Sequence, residues 1–185
     1  VEAYENSGAI LARVTGVLFN LSETDSDESL QKIVEKVLPM LSEHSNNIFM
    51  NPYFFAKVEK LHNEIDNLGL SQEQKMVLKK MYKSFVKNGV ALDETSQARM
   101  REINKELSSL EFTFGNNLLA ENNAFADRFG LSISEYAGAM ASTEDRALRE
   151  EMFKAYSSRG NNGNEYDNKE LILKIMALRI EKAKL

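Results

Sequence analysis

Residues 93–122 read DETSQARMREINKELSSLEFTFGNNLLAEN. Within them Met100, Ile103, Leu107, Leu110, Phe114 and Leu118 recur at intervals of three and four, the spacing that stacks side chains on one side of an α-helix. Asp93 stands just ahead of the first turn, where a short acceptor side chain takes an otherwise unpaired backbone N–H. No proline interrupts the stripe before about Asn122. A helix this long with one apolar side needs other helices to cover it. The stretch therefore predicts the spine of an all-α fold.

Working towards the N-terminus, Ser71-Gln72-Glu73-Gln74 is a capping box that opens a helix with Val77, Met81 and Phe85 on one face and Gly89 at its end. Asn51-Pro52 reads as an N-cap followed by proline in the first turn. Phe54, Val58, Leu61, Ile65 and Leu68 then form a face to be buried, closed by Gly69. An earlier stripe, Leu30, Ile33, Val34, Val37, Leu38 and Leu41, contains Pro39, which predicts a kink near Glu35–Leu38. Asp25 with Glu28 three residues on fits the capping pair that opens it. Residues 1–21 carry Ala3, Ser7, Ile10, Val14, Val17 and Leu21 at four-three spacing and predict a single amphipathic helix. That helix begins at Val1 without a cap, as expected if it starts upstream or if a leading segment was removed.

Towards the C-terminus, Phe129, Leu131, Ile133 and Tyr136 fall at odd spacing, so about 127–141 is expected to be an irregular, partly extended connection. Ser142 or Thr143 opens a helix with Leu148, Met152 and Tyr156, and Gly160 follows it. Asn161–Tyr166 is a polar loop, and Asp167 with Glu170 caps a last helix containing Leu171, Ile175 and Leu178. In that helix Ile172, Met176, Ile180 and Ala183 line a second apolar side, which expects cover from outside residues 1–185 or self-association of the chain. About seven helices with short connections predict an antiparallel multi-helix bundle. No sign of an internal boundary appears, and 1–185 reads as a single helical domain.

Composition narrows the function classes. The 185 residues include no cysteine, two prolines and nine glycines, with 43% hydrophobic and 28% charged residues. The lack of cysteine excludes disulfides and thiolate-held metals from this chain. A net charge of −5 with interspersed signs argues against a nucleic-acid partner, whose phosphates call for a basic stripe. No apolar run is long enough to predict a membrane span.

Catalytic motifs are missing as well. His44 and His62 are the only histidines; they lie on different predicted helices, and neither belongs to a helical His pair or a Glu-x-x-His pair. No phosphate-binding glycine loop or Gly-flanked nucleophilic serine is present. The acidic pairs Asp27/Glu28, Glu144/Asp145 and Glu150/Glu151 fall at helix starts or on polar faces, where helix-dipole attraction and solvation account for them. Met76, Met81, Met100, Met152 and Met176 are expected in the packed interior. The chain itself predicts no catalytic, cofactor-binding or metal-ligating residue.

Several stretches resemble a known family in the family's own order. They are Leu18-Phe19-Asn20-Leu21, Asn51-Pro52-Tyr53-Phe54-Phe55, the run from Ile103 to Glu111 with Phe114 and Asn117, the run from Arg146 to Tyr156, Arg159-Gly160-Asn161, and Asp167-Asn168-Lys169 through Leu178-Arg179 to Ala183-Lys184-Leu185. Together they resemble the N-terminal part of zinc metallopeptidases of the thimet oligopeptidase/neurolysin family, on the side of bacterial peptidyl-dipeptidases (dipeptidyl carboxypeptidases) and oligopeptidases A. The Arg-Gly-Asn-Asn loop leans towards the peptidyl-dipeptidases.

The resemblance implies the helical N-terminal part of a neurolysin-like fold, one wall of a substrate channel for short peptides. It also implies zinc in the full-length protein, bound in a later catalytic part with H-E-x-x-H, so that residues 1–185 alone are expected to be inactive. That C-terminal part of the same polypeptide is the expected partner, and the cytoplasm the expected compartment, or the periplasm if a signal peptide was removed. The resemblance also implies a longer insert in the family where this chain has only about Ala126 to Ser142. Leu185 falls within a helical pattern without a stop signal, as expected of a fragment. The alternative is a free-standing helical interaction module without activity.

Overall fold

The computed structural model describes residues 2–185, so the opening Val1 lies outside the described residues. The elements are α1 (Glu2–Glu5), α2 (Ala9–Thr24), α3 (Glu28–Phe49), α4 (Pro52–Asn63), α5 (Gln72–Lys87), α6 (Glu94–Phe129), a 3₁₀ turn (Ile133–Glu135), α7 (Tyr136–Ser142), α8 (Arg146–Ser157) and α9 (Lys169–Lys182). Among the described residues there is no strand, and the all-α class expected from the sequence is the class observed.

Two of the predicted spans divide further than about seven helices allows. The single helix expected over 1–21 is broken at Gly8, whose φ of 75° is left-handed and favours glycine. Residues 127–141 are mostly helical rather than irregular or extended. The long helix runs seven residues past Asn122 to Phe129, stops at the left-handed Gly130, and a Ser132–Glu135 capping box starts the chain towards α7. Odd spacing misleads here because a 3₁₀ turn and a seven-residue helix are too short to show a helical period.

Caps fix the register of the helices, and the structure moves two of them. Asn51 caps α4 by accepting from the N–H of Phe54 at 3.0 Å, Ser71 and Gln74 form the expected box on α5, and Asp93 accepts from the N–H of Ser96 at 3.0 Å to start α6. The cap of α3 is Asp27, accepting from Leu30 N–H at 2.7 Å, rather than Asp25. The cap of α8 is Asp145, which takes the N–H groups of Ala147 and Leu148, rather than Ser142 or Thr143. In both places an aspartate immediately before the first turn wins over the acceptor further upstream.

Contacts group the chain into two compact units, residues 1–109 with 182–185, and residues 110–181. In the first unit α4 and α5 form a hairpin around Val58, Ile65, Leu78, Met81, Phe85 and Val90. Phe85, fully buried, meets Phe49, Phe54 and Phe55 with ring centroids 5.1–5.9 Å apart. Met100, Ile103 and Leu107 from the first half of α6 are buried in the same unit, as the stripe requires. Leu110 and Phe114, further along the stripe, are half-buried.

The second unit buries Phe125, Met152, Ile175 and Leu178 together with two polar residues, Glu121 and Asn168. Met81, Met100 and Met152 are buried as expected, whereas Met76 and Met176 are about half exposed on their helices. Leu68, assigned to the buried face of α4, lies beyond the end of that helix and is exposed.

Candidate functional site

The most elaborate polar arrangement lies in the second unit, where α6, α8 and the loop 160–168 enclose a cleft of about 520 Å³. Its floor is Glu121, only 5% exposed. The carboxylate accepts hydrogen bonds from the backbone N–H of Gly160, from Asn162 Nδ2 at 2.8 Å and from Asn164 Nδ2 at 3.1 Å. A buried carboxylate is costly unless donors replace its lost hydration, and the Asn-rich loop supplies them.

Asn168 holds the other end of the loop. Its Nδ2 donates to the carbonyl of Phe114 at 3.2 Å, its Oδ1 accepts from Asn117 Nδ2 at 2.9 Å, and its backbone N–H donates to the carbonyl of Gly160 at 2.8 Å. Gly160 is buried with φ 71°, and a Cβ there would come within 3.3 Å of Asn168 Nδ2. The backbone angle favours glycine there, and a side chain would also crowd the Asn168 carboxamide.

Asp167 accepts from the N–H of Lys169 at 2.9 Å and from the N–H of Gly163 at 2.7 Å. The Lys169 N–H is the largest cause holding the Asp167 carboxyl below its usual range; the Gly163 N–H and the Lys169 ammonium add to it. The loop thus folds onto its own carboxylate as well as onto Glu121.

In the same unit Tyr136 and Tyr156 stack with centroids 3.8 Å apart, and the guanidinium of Arg159 lies 4.2 Å over the Tyr156 ring. Arg159 Nε donates to the carbonyl of Tyr156 at 2.8 Å, and Nη1 donates to Asn122. At the rim Arg128 pairs with Glu151, while Lys154 and Glu150 pair at 2.5 Å. That pairing, through the hydrogen bond first and the lysine charge second, lowers the Glu150 carboxyl pKa.

Chemically the cleft is a scaffolding arrangement. Every acceptor contact of Glu121 described above is with a donor that orders the loop, which leaves the group engaged in architecture rather than aimed at a substrate proton. Of the residues singled out in the sequence, Glu151, Arg159 and the loop residues Asn162, Asn164 and Tyr166 line this cleft; Glu151 and Glu150 form surface ion pairs with Arg128 and Lys154. The other acidic pairs resolve as caps: Asp27 on α3 and Asp145 on α8. His44 is exposed on α3, and His62 on α4 stacks on Tyr82 at 4.0 Å.

Glu121 had a readable signal that the spacing argument did not use. It continues the stripe of Phe114 and Leu118 by three residues and precedes Phe125 by four, so an acid stands where an apolar residue is expected. Four asparagines in the stretch 161–168 offer donors only once the loop has closed; Asn162 and Asn164 donate to Glu121, and Asn168 to the Phe114 carbonyl.

The zinc implied by the family resemblance needs three or more nitrogen, sulfur or carboxylate ligands converging on one point. Among the described residues no group of three or more His, Cys, Asp or Glu side chains does so. Among the described residues, no helix is long and apolar enough to cross a membrane.

No family model matches the chain. It is 27% identical to the dipeptidyl carboxypeptidase of Escherichia coli (strain K12) over 215 residues, covering 99% of this chain and 32% of the relative. It is 29% identical to the oligopeptidase A of Haemophilus influenzae, covering 95% of this chain and 31% of the relative. An organellar oligopeptidase A of Arabidopsis thaliana is 25% identical, covering 100% of this chain and 28% of the relative. The chain thus spans about a third of the length of the curated relatives it matches. The aligned stretch is longer than the chain, so these relatives carry residues that it lacks. Along its whole length the chain is homologous to dipeptidyl carboxypeptidase and oligopeptidase A, both members of the thimet oligopeptidase family.

Proposed function

We propose that residues 1–185 are the N-terminal helical part of a zinc-dependent oligopeptidase or peptidyl-dipeptidase that hydrolyses short peptides in the cytoplasm. In this reading the helices form one wall of the substrate channel, and the polypeptide carries its catalytic machinery in another part. The observation that carries it is the whole-chain similarity to peptidases about three times as long. The all-helical structure is compatible with a helical wall. When bound, zinc in such an enzyme would polarise the scissile carbonyl and activate a water. The residues of this chain would contribute shape and rigidity, with the Glu121 network fixing the loop between α8 and α9.

The test is to read the complete coding sequence and assay its product. The expected result is an H-E-x-x-H helix in the same polypeptide, with peptide hydrolysis by the whole protein and neither hydrolysis nor stoichiometric zinc in residues 1–185 alone. A coding sequence without a peptidase motif, or one tightly bound zinc per 185-residue chain that is lost in His44→Ala or His62→Ala, overturns the reading and favours the free-standing interaction module.

A further inference from the structure

Helix α2, AILARVTGVLFNLSET, has only Arg13 and Glu23 as charged residues. Its apolar stripe of Ile10, Val14, Val17 and Leu21 is exposed to 80%, 60%, 58% and 43%. The side that faces inward is instead Thr15, Leu18, Phe19 and Ser22, which are half-buried or buried while α2 packs on α3. At 100° per residue the two sides are roughly 120° apart, so α3 leaves the stripe uncovered. Beside the start of the same helix opens a cleft of about 590 Å³ lined by Tyr4, Ser7, Gly8, Leu11, His44 and Ile48.

A contiguous apolar helix face of this kind is uncommon on a surface that meets only water. Its four-three-four spacing is the seam that accepts another helix, knobs into holes, and the neighbouring cleft gives room for a protruding side chain. The relatives carry about two thirds of their length outside the region matched by this chain, which is ample polypeptide to supply that helix. We propose that the exposed α2 stripe seats an apolar-striped helix from the catalytic remainder of the longer polypeptide. This rests on the reading in the previous subsection.

The absence of cysteine from residues 1–185 makes single-cysteine reporters straightforward. Val14→Cys and Val17→Cys are introduced separately into residues 1–185 and into the complete polypeptide, with Lys83→Cys on α5 as an exposed reference. Maleimide labelling at each introduced site is followed by peptide mass mapping. In residues 1–185 both stripe positions should label as fast as the reference. In the complete polypeptide they should slow by about tenfold or more, because a covered thiol reacts only when its cover opens locally.

Equal labelling at Val14→Cys and Val17→Cys in the two forms overturns the docking assignment while leaving the peptidase reading intact. Protection already present in residues 1–185, rising with protein concentration, assigns the stripe to a second copy and also overturns it. A complete coding sequence without a catalytic remainder overturns both proposals together. As a second readout, Val17→Glu should leave the melting temperature of residues 1–185 unchanged and lower that of the complete protein; no effect on either counts against the seat.

Discussion

In the first unit Phe85 is enclosed by Phe49, Phe54 and Phe55, with Val58, Leu78 and Met81 around them, and this cluster is wholly apolar; the unit's buried polar residues, Ser22 and Asn46, lie outside it. In the second unit the buried set includes the Glu121 carboxylate and the Asn168 carboxamide beside Phe125 and Met152. The difference is one of directionality. Apolar burial is roughly proportional to area and tolerates rearrangement, whereas a buried carboxylate is stable only when each donor arrives at the right distance and angle. The second unit therefore ties a specific loop conformation to its interior, and the first ties helix packing to its own.

The contrast is most directly broken at Phe85. Phe85→Ala should destabilise the first unit by about 3–5 kcal/mol, because it removes a fully buried ring and leaves a cavity among three others. Urea unfolding followed by circular dichroism measures it; a loss below about 1 kcal/mol would show that the aromatic cluster is not the core of that unit.

Glu121→Ala sharpens the other half. It leaves the Gly160 N–H and the Asn162 and Asn164 amides without their acceptor and should cost about 1–3 kcal/mol. Hydrogen exchange should show the damage concentrated in residues 160–168, with the amides of α4 and α5 unchanged. Uniform loss of protection across both units would contradict the local role assigned to the network.

The smallest effect is expected at the caps, where the two units should behave alike. The Asp93 carboxyl lies below its usual range, chiefly through the Ser96 N–H and then the Ser96 hydroxyl, and Asp167 is shifted in the same direction. A lowered folded-state pKa means that the unfolded chain binds the proton more readily. The contribution is complete above the ordinary aspartate value of about 3.9 and is lost as pH falls through the lowered folded value. Asn caps a helix about as well as Asp but does not titrate. Asp93→Asn keeps an acceptor for the Ser96 N–H but gives up the charge and the Ser96 hydroxyl bond, so it should be slightly less stable than the parent at pH 7 and lose less stability on acidification below about pH 4, read from melting temperatures across that range.

Helix positions were legible wherever a long stripe met a strong cap, as at Asn51, Ser71 and Asp93. They were less so where short elements follow each other, as between Phe129 and Ser142, because a helix of two turns or fewer samples its period too briefly to register. Cap choice among Asp25, Asp27, Ser142, Thr143 and Asp145 also escaped, since neighbouring acceptors compete and backbone geometry decides between them. In the candidate site the lone acid at Glu121 was visible in the stripe, but its donors lie about forty residues away, and nothing local pairs them.

By itself, then, the sequence determined the all-α class, the long helix α6 and the resemblance to oligopeptidases, because each is written in local periodicity or in ordered motifs. Only the tertiary structure decided which apolar stripes are covered. Ile103 and Leu107 on α6 are buried, while Ile10, Val14 and Val17 on α2 carry the same spacing and face outward. Periodicity reports that a helix has an apolar side; whether another element reaches that side depends on contacts far apart in the chain, which no local pattern encodes.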